Sequence, residues 1–187
     1  MSELIKKQLN DAKALMDKAI SHTDNELSKI RAGKASPAML DGLMVDYYGT
    51  PTSLSQVGNV NTPDARTIVI QPWEKSLLVP IEKAIKESSL GFNPQNDGSI
   101  IRINVPPLTE ERRRELVKRL KGEAENGKVA VRNIRKDIND KIKKLKTEGV
   151  SEDEIKVGEA DVQKLVDTYI VKVDQLSEAK EKDIMTV

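Results

Sequence analysis

Residues 109–147 read TEERRRELVKRLKGEAENGKVAVRNIRKDINDKIKKLKT, 39 positions without a proline. Leu116, Leu120, Ala124, Gly127, Val131, Ile134, Ile138 and Leu145 recur at steps of 3, 4 or 7, which puts them on one side of an α-helix. As a single helix the stretch would be about 58 Å long at 1.5 Å per residue. Thr109 reads as its N-cap, and Glu110 and Glu111 complement the positive end of the helix dipole. Gly122 and Gly127 each weaken a helix by roughly 1 kcal/mol relative to alanine. Gly127 lies on the apolar side, where a small residue lets another helix come close, whereas Gly122 lies off it and marks a point where the rod can bend. A rod this long with so narrow an apolar side has to pack against other helices.

Both ends of the chain supply them. Ile5, Leu9, Ala12, Met16, Ala19, Thr23, Leu27 and Ile30 form a stripe through the first thirty residues, which contain neither glycine nor proline. Near the other end Ser151 and Glu154 form a capping box. Asp153 adds charge to the first turn, Val150 and Ile155 occupy the staple positions, and the stripe continues through Val162, Leu165, Tyr169, Val173 and Leu176 to Ile184. Residues 31–105 differ in kind, holding 6 of the 8 prolines and 6 of the 10 glycines. Strands are expected at Leu43–Tyr47, Arg66–Ile70 and Ile100–Val105, a weaker one at Val57–Val60, and a helix over Ser76–Ser88. The order helix, small α/β domain, helix, helix predicts an α+β protein: a long three-helix bundle (1–30 plus 106–187) interrupted by an inserted small α/β domain (31–105). Arg31–Pro37 and Val105–Pro107 would be the two connecting segments, and Arg31, Gly33, Pro37, Val105, Pro106 and Pro107 the hinge candidates.

Composition agrees. Of the 187 residues 37% are hydrophobic and 33% charged, against typical values of about 45–50% and about 25%. Five aromatic residues do not make one deep core. With no cysteine and one histidine, His22, disulfides, thiolate metal sites and cysteine nucleophiles are excluded, and neither metal nor cofactor is expected. No secretory pattern opens the sequence and no apolar run approaches membrane-spanning length, so a cytoplasmic protein without membrane contact is expected. Gly122 to Lys128 matches most of a phosphate-cradling loop. Val129, however, stands where a magnesium-binding hydroxyl is required, and no strand precedes the loop. The acidic pairs and triplets open helices and are dipole partners. No catalytic constellation can be assembled, so the chain reads as a protein that is not an enzyme.

The formal net charge of +1 conceals an asymmetry: residues 109–147 carry 14 basic and 7 acidic side chains, residues 148–187 carry 5 and 11. Arg114, Lys118, Lys121, Lys128, Arg132, Arg135, Lys143 and Lys146 step along one edge of the middle helix beside its apolar side. Two readings follow. Either this line is neutralised by the acidic third helix, as in a coiled-coil adaptor that does not bind RNA, or it meets the phosphates of a large folded RNA or a duplex. So few aromatics leave shape and phosphate recognition, rather than base stacking, as the mode of RNA binding.

Longer collinear stretches point further: Ile30 to Pro37 (IRAGKASP), Leu40-Asp41-Gly42, Tyr47 to Pro51 (YYGTP), Pro80 to Ile85, Leu90 to Pro94, Pro106 to Arg113 (PPLTEERR) and Val129 to Arg135 (VAVRNIR). With them the chain resembles the ribosome recycling factor family along essentially its whole length, Phe92 standing where leucine is common. The resemblance implies an L-shaped molecule in which the small domain is a β-rich, sandwich-like α/β unit. It also implies binding to the post-termination ribosome through large-subunit ribosomal RNA. With the GTPase elongation factor G, a monomeric and non-catalytic factor of this kind splits the ribosome into subunits and frees it from mRNA. Arg132 matches the family's ribosome-binding arginine; Arg112, Lys128 and Arg135 carry over beside it, and Lys118 and Lys121 join them from the basic line. Arg31, Gly33 and Pro106 match the family's hinge.

Overall fold

The computed structural model describes residues 2–186. Its helices and strands run in the order α1 (Glu3–Ser28), β1 (Met44–Tyr47), β2 (Thr50–Ser53), α2 (Leu54–Val57), β3 (Gly58–Asp64), β4 (Thr67–Pro72), α3 (Leu78–Glu87), β5 (Pro94–Asn96), β6 (Ile101–Asn104), α4 (Glu110–Lys144) and α5 (Glu152–Met185). The chain divides into two compact units. One runs up to Ala32 and resumes at Glu110; the other is Gly33–Thr109.

The helical unit consists of α1, α4 and α5. Ser2 caps α1 by accepting from the Ile5 N–H at 3.3 Å, and Ser151 caps α5 by accepting from the Glu154 N–H at 3.3 Å. Gly149, in the left-handed region at φ 89°, turns the chain from α4 into α5. The predicted stripes become the core: Ile5, Ala12, Met16, Val131, Ile138, Val162 and Tyr169 are buried together, with Val150 and Ile155 closing the end beside the Ser151 cap. Ile142 and Val166 join them. Hydrogen bonding in α4 is unbroken through Gly122, so the helix does not end at the glycine that invites a bend.

Gly127 explains the one polar residue in the α1 stripe. A Cβ there would lie 2.5 Å from Thr23 Oγ1 and 2.9 Å from its Cγ2. Thr23 is only 4% exposed, and its hydroxyl donates to the Ala19 carbonyl at 2.8 Å, so the buried side chain is satisfied within its own helix. Tyr169 makes a second polar contact in the core: its hydroxyl donates to Asp17 of α1 while Lys172 lies 4.4 Å over its ring.

In the small unit β3, β4, β6 and β5 form an antiparallel sheet in the order β3-β4-β6-β5, and β1 and β2 pair as a separate hairpin. Alternation sorts its residues: Ile68, Ile70, Ile101 and Ile103 point inward against Ile81 and Ile85 of α3, whereas Arg102 and Asn104 face outward. Strand β3 is longer than the Val57–Val60 expectation. The hairpin strand β2, the short β5 and the helix α2 were not anticipated, because their few residues carry too little periodicity. Among the described residues no helix is long and apolar enough to cross a membrane.

Two outcomes test this packing. Gly127→Val should cost about 1–3 kcal/mol by forcing α1 and α4 apart. Gly122→Ala, with nothing within 4 Å of the added methyl, should stabilise by up to about 1 kcal/mol; thermal melts of both variants check the pair. Burial, then the hydrogen bond to Asp17 and its charge, push the Tyr169 hydroxyl up from 10.0 to about 12. A raised value favours the protonated folded form, so this contribution is complete below pH 10 and is lost as the pH rises towards 12. Denaturant midpoints should therefore fall over that interval in the wild type and fall less in Tyr169→Phe.

Candidate nucleic-acid interface

Four lysines of the basic line, three on α4 and Lys146 just past its end, face α5 and are not a free edge. Lys121 pairs with Glu181 (3.6 Å), Lys128 with Asp174 (2.5 Å), Lys143 with Glu159 (3.6 Å), and Lys146 with Glu152. Numbers rise on one helix as they fall on the other, so these pairs form a ladder between antiparallel neighbours. Lys146, by its hydrogen bond and then its charge, holds the Glu152 carboxyl below the usual carboxylate range. The expectation that the third helix neutralises the second is therefore correct for these four rungs.

Between Lys128 and Lys143 the ladder has a gap. The α5 residue facing Arg135 is the neutral Gln163, whose Oε1 accepts from Arg135 Nη1 at 3.0 Å while its Nε2 donates to Asp167 at 2.8 Å. That second bond turns the amide oxygen, not its N–H, towards the arginine. Arg132 meets no acid of α5; its Nη1 lies 2.8 Å from Glu125, two turns back on its own helix, and its side chain is 45% exposed. Here an open groove runs along the surface. Its cations are Arg132, Arg135, Lys136 and Lys143; Asn133, Asn139 and Gln163 add amides, and Asp140 is the one acid. Asn139 Oδ1 is buried there without a hydrogen-bond partner.

Magnitudes separate what holds the helices from what is available to a ligand. Solvent-exposed ion pairs contribute about 0.2–1 kcal/mol and weaken with salt. Each fully buried Leu, Ile or Val contributes about 1.5–3 kcal/mol. The apolar seam holds the bundle, and the ladder can open without unfolding it. Four cations within about three turns, with amide donors beside them, match the charge and hydrogen-bonding needs of neighbouring phosphates and ribose hydroxyls.

The groove brings together two of the sequence candidates, Arg132 and Arg135. Lys128 lies outside it, with a side chain only 21% exposed and held by Asp174. Lys121 is one rung further, and Arg112 is near the start of α4, 2.8 Å from Glu115. Lys118 is exposed and makes no ion pair within 4 Å among the described residues. Lys136, Asn133 and Asn139 were missed. The signal was present, since Lys136 follows Arg132 by four residues and precedes Lys143 by seven, but it falls on the outer side of the chosen line.

The hinge candidates separate in a similar way. Val105 is buried in the core of the small unit and its N–H donates to the Arg66 carbonyl at 2.7 Å. Pro37 opens a 3-10 turn over Pro37–Leu40. Gly33 has φ +69°, and a Cβ on it would lie 2.4 Å from Leu108 Cγ, so a side chain is excluded there on two counts. Arg31, Pro106 and Pro107 are exposed and lie outside helices and strands.

The sequence profile described as "Ribosome recycling factor" matches residues 23–185. The ribosome-recycling factor of Cytophaga hutchinsonii is 58% identical over 185 residues, covering 99% of this chain and 100% of its own. That of Porphyromonas gingivalis is 57% identical over 184 residues, covering 98% and 99%. The solution structure of a ribosome recycling factor superposes with a TM-score of 0.67 at 41% identity, covering both chains completely. A second structure has a TM-score of 0.59 at 45% identity, covering 97% and 99%. It depicts the T. thermophilus ribosome recycling factor and the E. coli elongation factor G bound to the E. coli post-termination complex. Full-length similarity of this degree, on a fold with the same mixture of long helices and a small β unit, establishes that this chain belongs to the ribosome recycling factor family.

Proposed function

We propose that this protein recycles ribosomes: it binds the post-termination ribosome through large-subunit ribosomal RNA and, together with the GTPase elongation factor G, separates the subunits and releases them from mRNA. It works in the cytoplasm, as a monomer, and catalyses no reaction itself. The T. thermophilus relative's placement with elongation factor G on a post-termination complex supports the partner assignment.

The observation that carries the RNA-binding part is the gap in the α4–α5 ladder, where Arg132, Arg135 and Lys136 meet no carboxylate of α5. A helix of 35 residues, backed by two others, holds these groups at fixed spacing, so binding loses little conformational entropy. Lys121, Lys118, Lys128 and Arg112 extend the contact along the rod with smaller contributions. Work supplied by the GTPase would reach the RNA through that rod. The small unit is tethered by two segments, around Arg31 to Gly33 and Pro106 to Pro107, and its movement about them would let the partner push without first unfolding the bundle.

An adaptor that does not bind RNA would find support in the four paired rungs, but it gives no role to the arginines between them, which meet no acid of α5. Co-sedimentation with ribosomes separates the two readings. Arg132→Glu should weaken binding at least about tenfold, beyond the loss of one contact, because it sets a like charge against phosphate. Its melting temperature should stay near that of wild type. Wild-type affinity should fall with a log–log salt slope of about −3 for four neutralised phosphates. Unchanged binding by Arg132→Glu, or a flat salt response, would remove the groove from the interface.

A further inference from the structure

We infer that the acidic row of α5, Asp174 and Glu159 above all, is a tethered competitor for the RNA phosphates that α4 binds, and thereby sets how readily the protein lets go of RNA. The inference rests on the RNA-binding reading above and assigns a role to residues that reading leaves out.

Glu152, Glu159, Asp174 and Glu181 are spaced at 7, 15 and 7 residues, so they share one side of α5, and each meets one lysine, three of them on α4 and Lys146 just past its end. Two of these pairs flank the groove. Lys143, which lines it, is held by Glu159 at 3.6 Å, and Lys128, one turn before Arg132, is held by Asp174 at 2.5 Å. A carboxylate offers a lysine the same things as a phosphate, a negative charge and oxygen acceptors, so the two compete for the same ammonium. In the gap α5 presents Gln163 and no carboxylate; the acid held to an arginine there is Glu125 of α4 itself, 2.8 Å from Arg132. The arginines in the middle thus face no acid of α5, whereas the lysines at both flanks can bind RNA only by giving up an α5 carboxylate.

Three of the four pairs matter little to folding: the side chains of Lys121, Lys143 and Lys146 are all more than 60% exposed, and pairs of that kind add little to stability, whereas Lys128, 21% exposed, is held more closely by the half-exposed Asp174. On RNA the same weakness becomes useful. Because the carboxylates belong to the same body, their effective concentration at each lysine is high and does not fall on dilution. As a phosphate moves away its lysine is captured at once, and the interface can be released one rung at a time. A factor that has to leave the ribosome after each round gains from such stepwise release, whereas uncontested lysines would hold it longer.

The test measures binding and dissociation on purified large ribosomal subunits, at low and high salt, for full-length Glu159→Gln, Asp174→Asn and the double variant. Asp161→Asn is the control: it removes one charge from the same helix, but its partner is Lys164 of α5 itself. Arg132→Glu is measured in parallel, and melting curves establish that each variant is folded. Each single neutralisation should tighten low-salt binding about two- to fivefold, mainly through slower dissociation, with a larger gain in the double variant and little gain at high salt. A double variant that binds no tighter, or an Asp161→Asn variant that gains as much, overturns the competitor role. If that happens while Arg132→Glu still loses binding, the RNA-binding reading stands without it; if Arg132→Glu binds like wild type, that reading fails and the competitor role fails with it.

Discussion

The apolar seam shared by α1, α4 and α5 is the constraint from which the rest follows. It is narrow, built from Ile, Val, Leu and Met with almost no aromatic bulk, and closed at one end by Val150 and Ile155. Because it suffices to hold three long helices together, the many charges of the unit are released from structural duty. They can be placed for binding. The close approach at Gly127 and Thr23 belongs to the same constraint: one missing side chain fixes the distance between two helices and so the line along which their surfaces meet.

On that frame the electrostatics resolve into two patterns. Acids of α5 answer lysines of α4 wherever the two helices face each other directly, except at a single stretch where a glutamine stands opposite an arginine. Neutral pairing and cationic display therefore coexist on one helix edge within a few turns. Net charge, close to zero for the whole chain, conveys nothing of this, since what matters to a phosphate is the local absence of a carboxylate.

The small unit follows another principle. Its core comes from strict alternation in β4 and β6 against α3, and its connection to the bundle from two segments that contain glycine and proline. Val105 shows how a linker residue can be misjudged. It precedes two prolines and reads as part of a hinge, yet its side chain completes the core and its N–H extends the strand pairing.

Legibility varied with the length of the signal. The three long helices, their buried sides, the Ser151 cap and the separate α/β unit could all be read from spacing, because a period repeated over thirty residues overdetermines the answer. Strands of three or four residues such as β2 and β5 could not, since a pattern that short is shared with loops. For the site, the sequence by itself determined that α4 carries a line of cations including Arg132 and Arg135, as helical periodicity alone dictates. Which of those cations have a carboxylate opposite them was decided only by the tertiary structure, and with it the inclusion of Lys136 and the partial withdrawal of Lys128. The reason is that pairing between helices depends on their axial offset, which is set by how side chains interlock along the seam and not by the spacing within either helix.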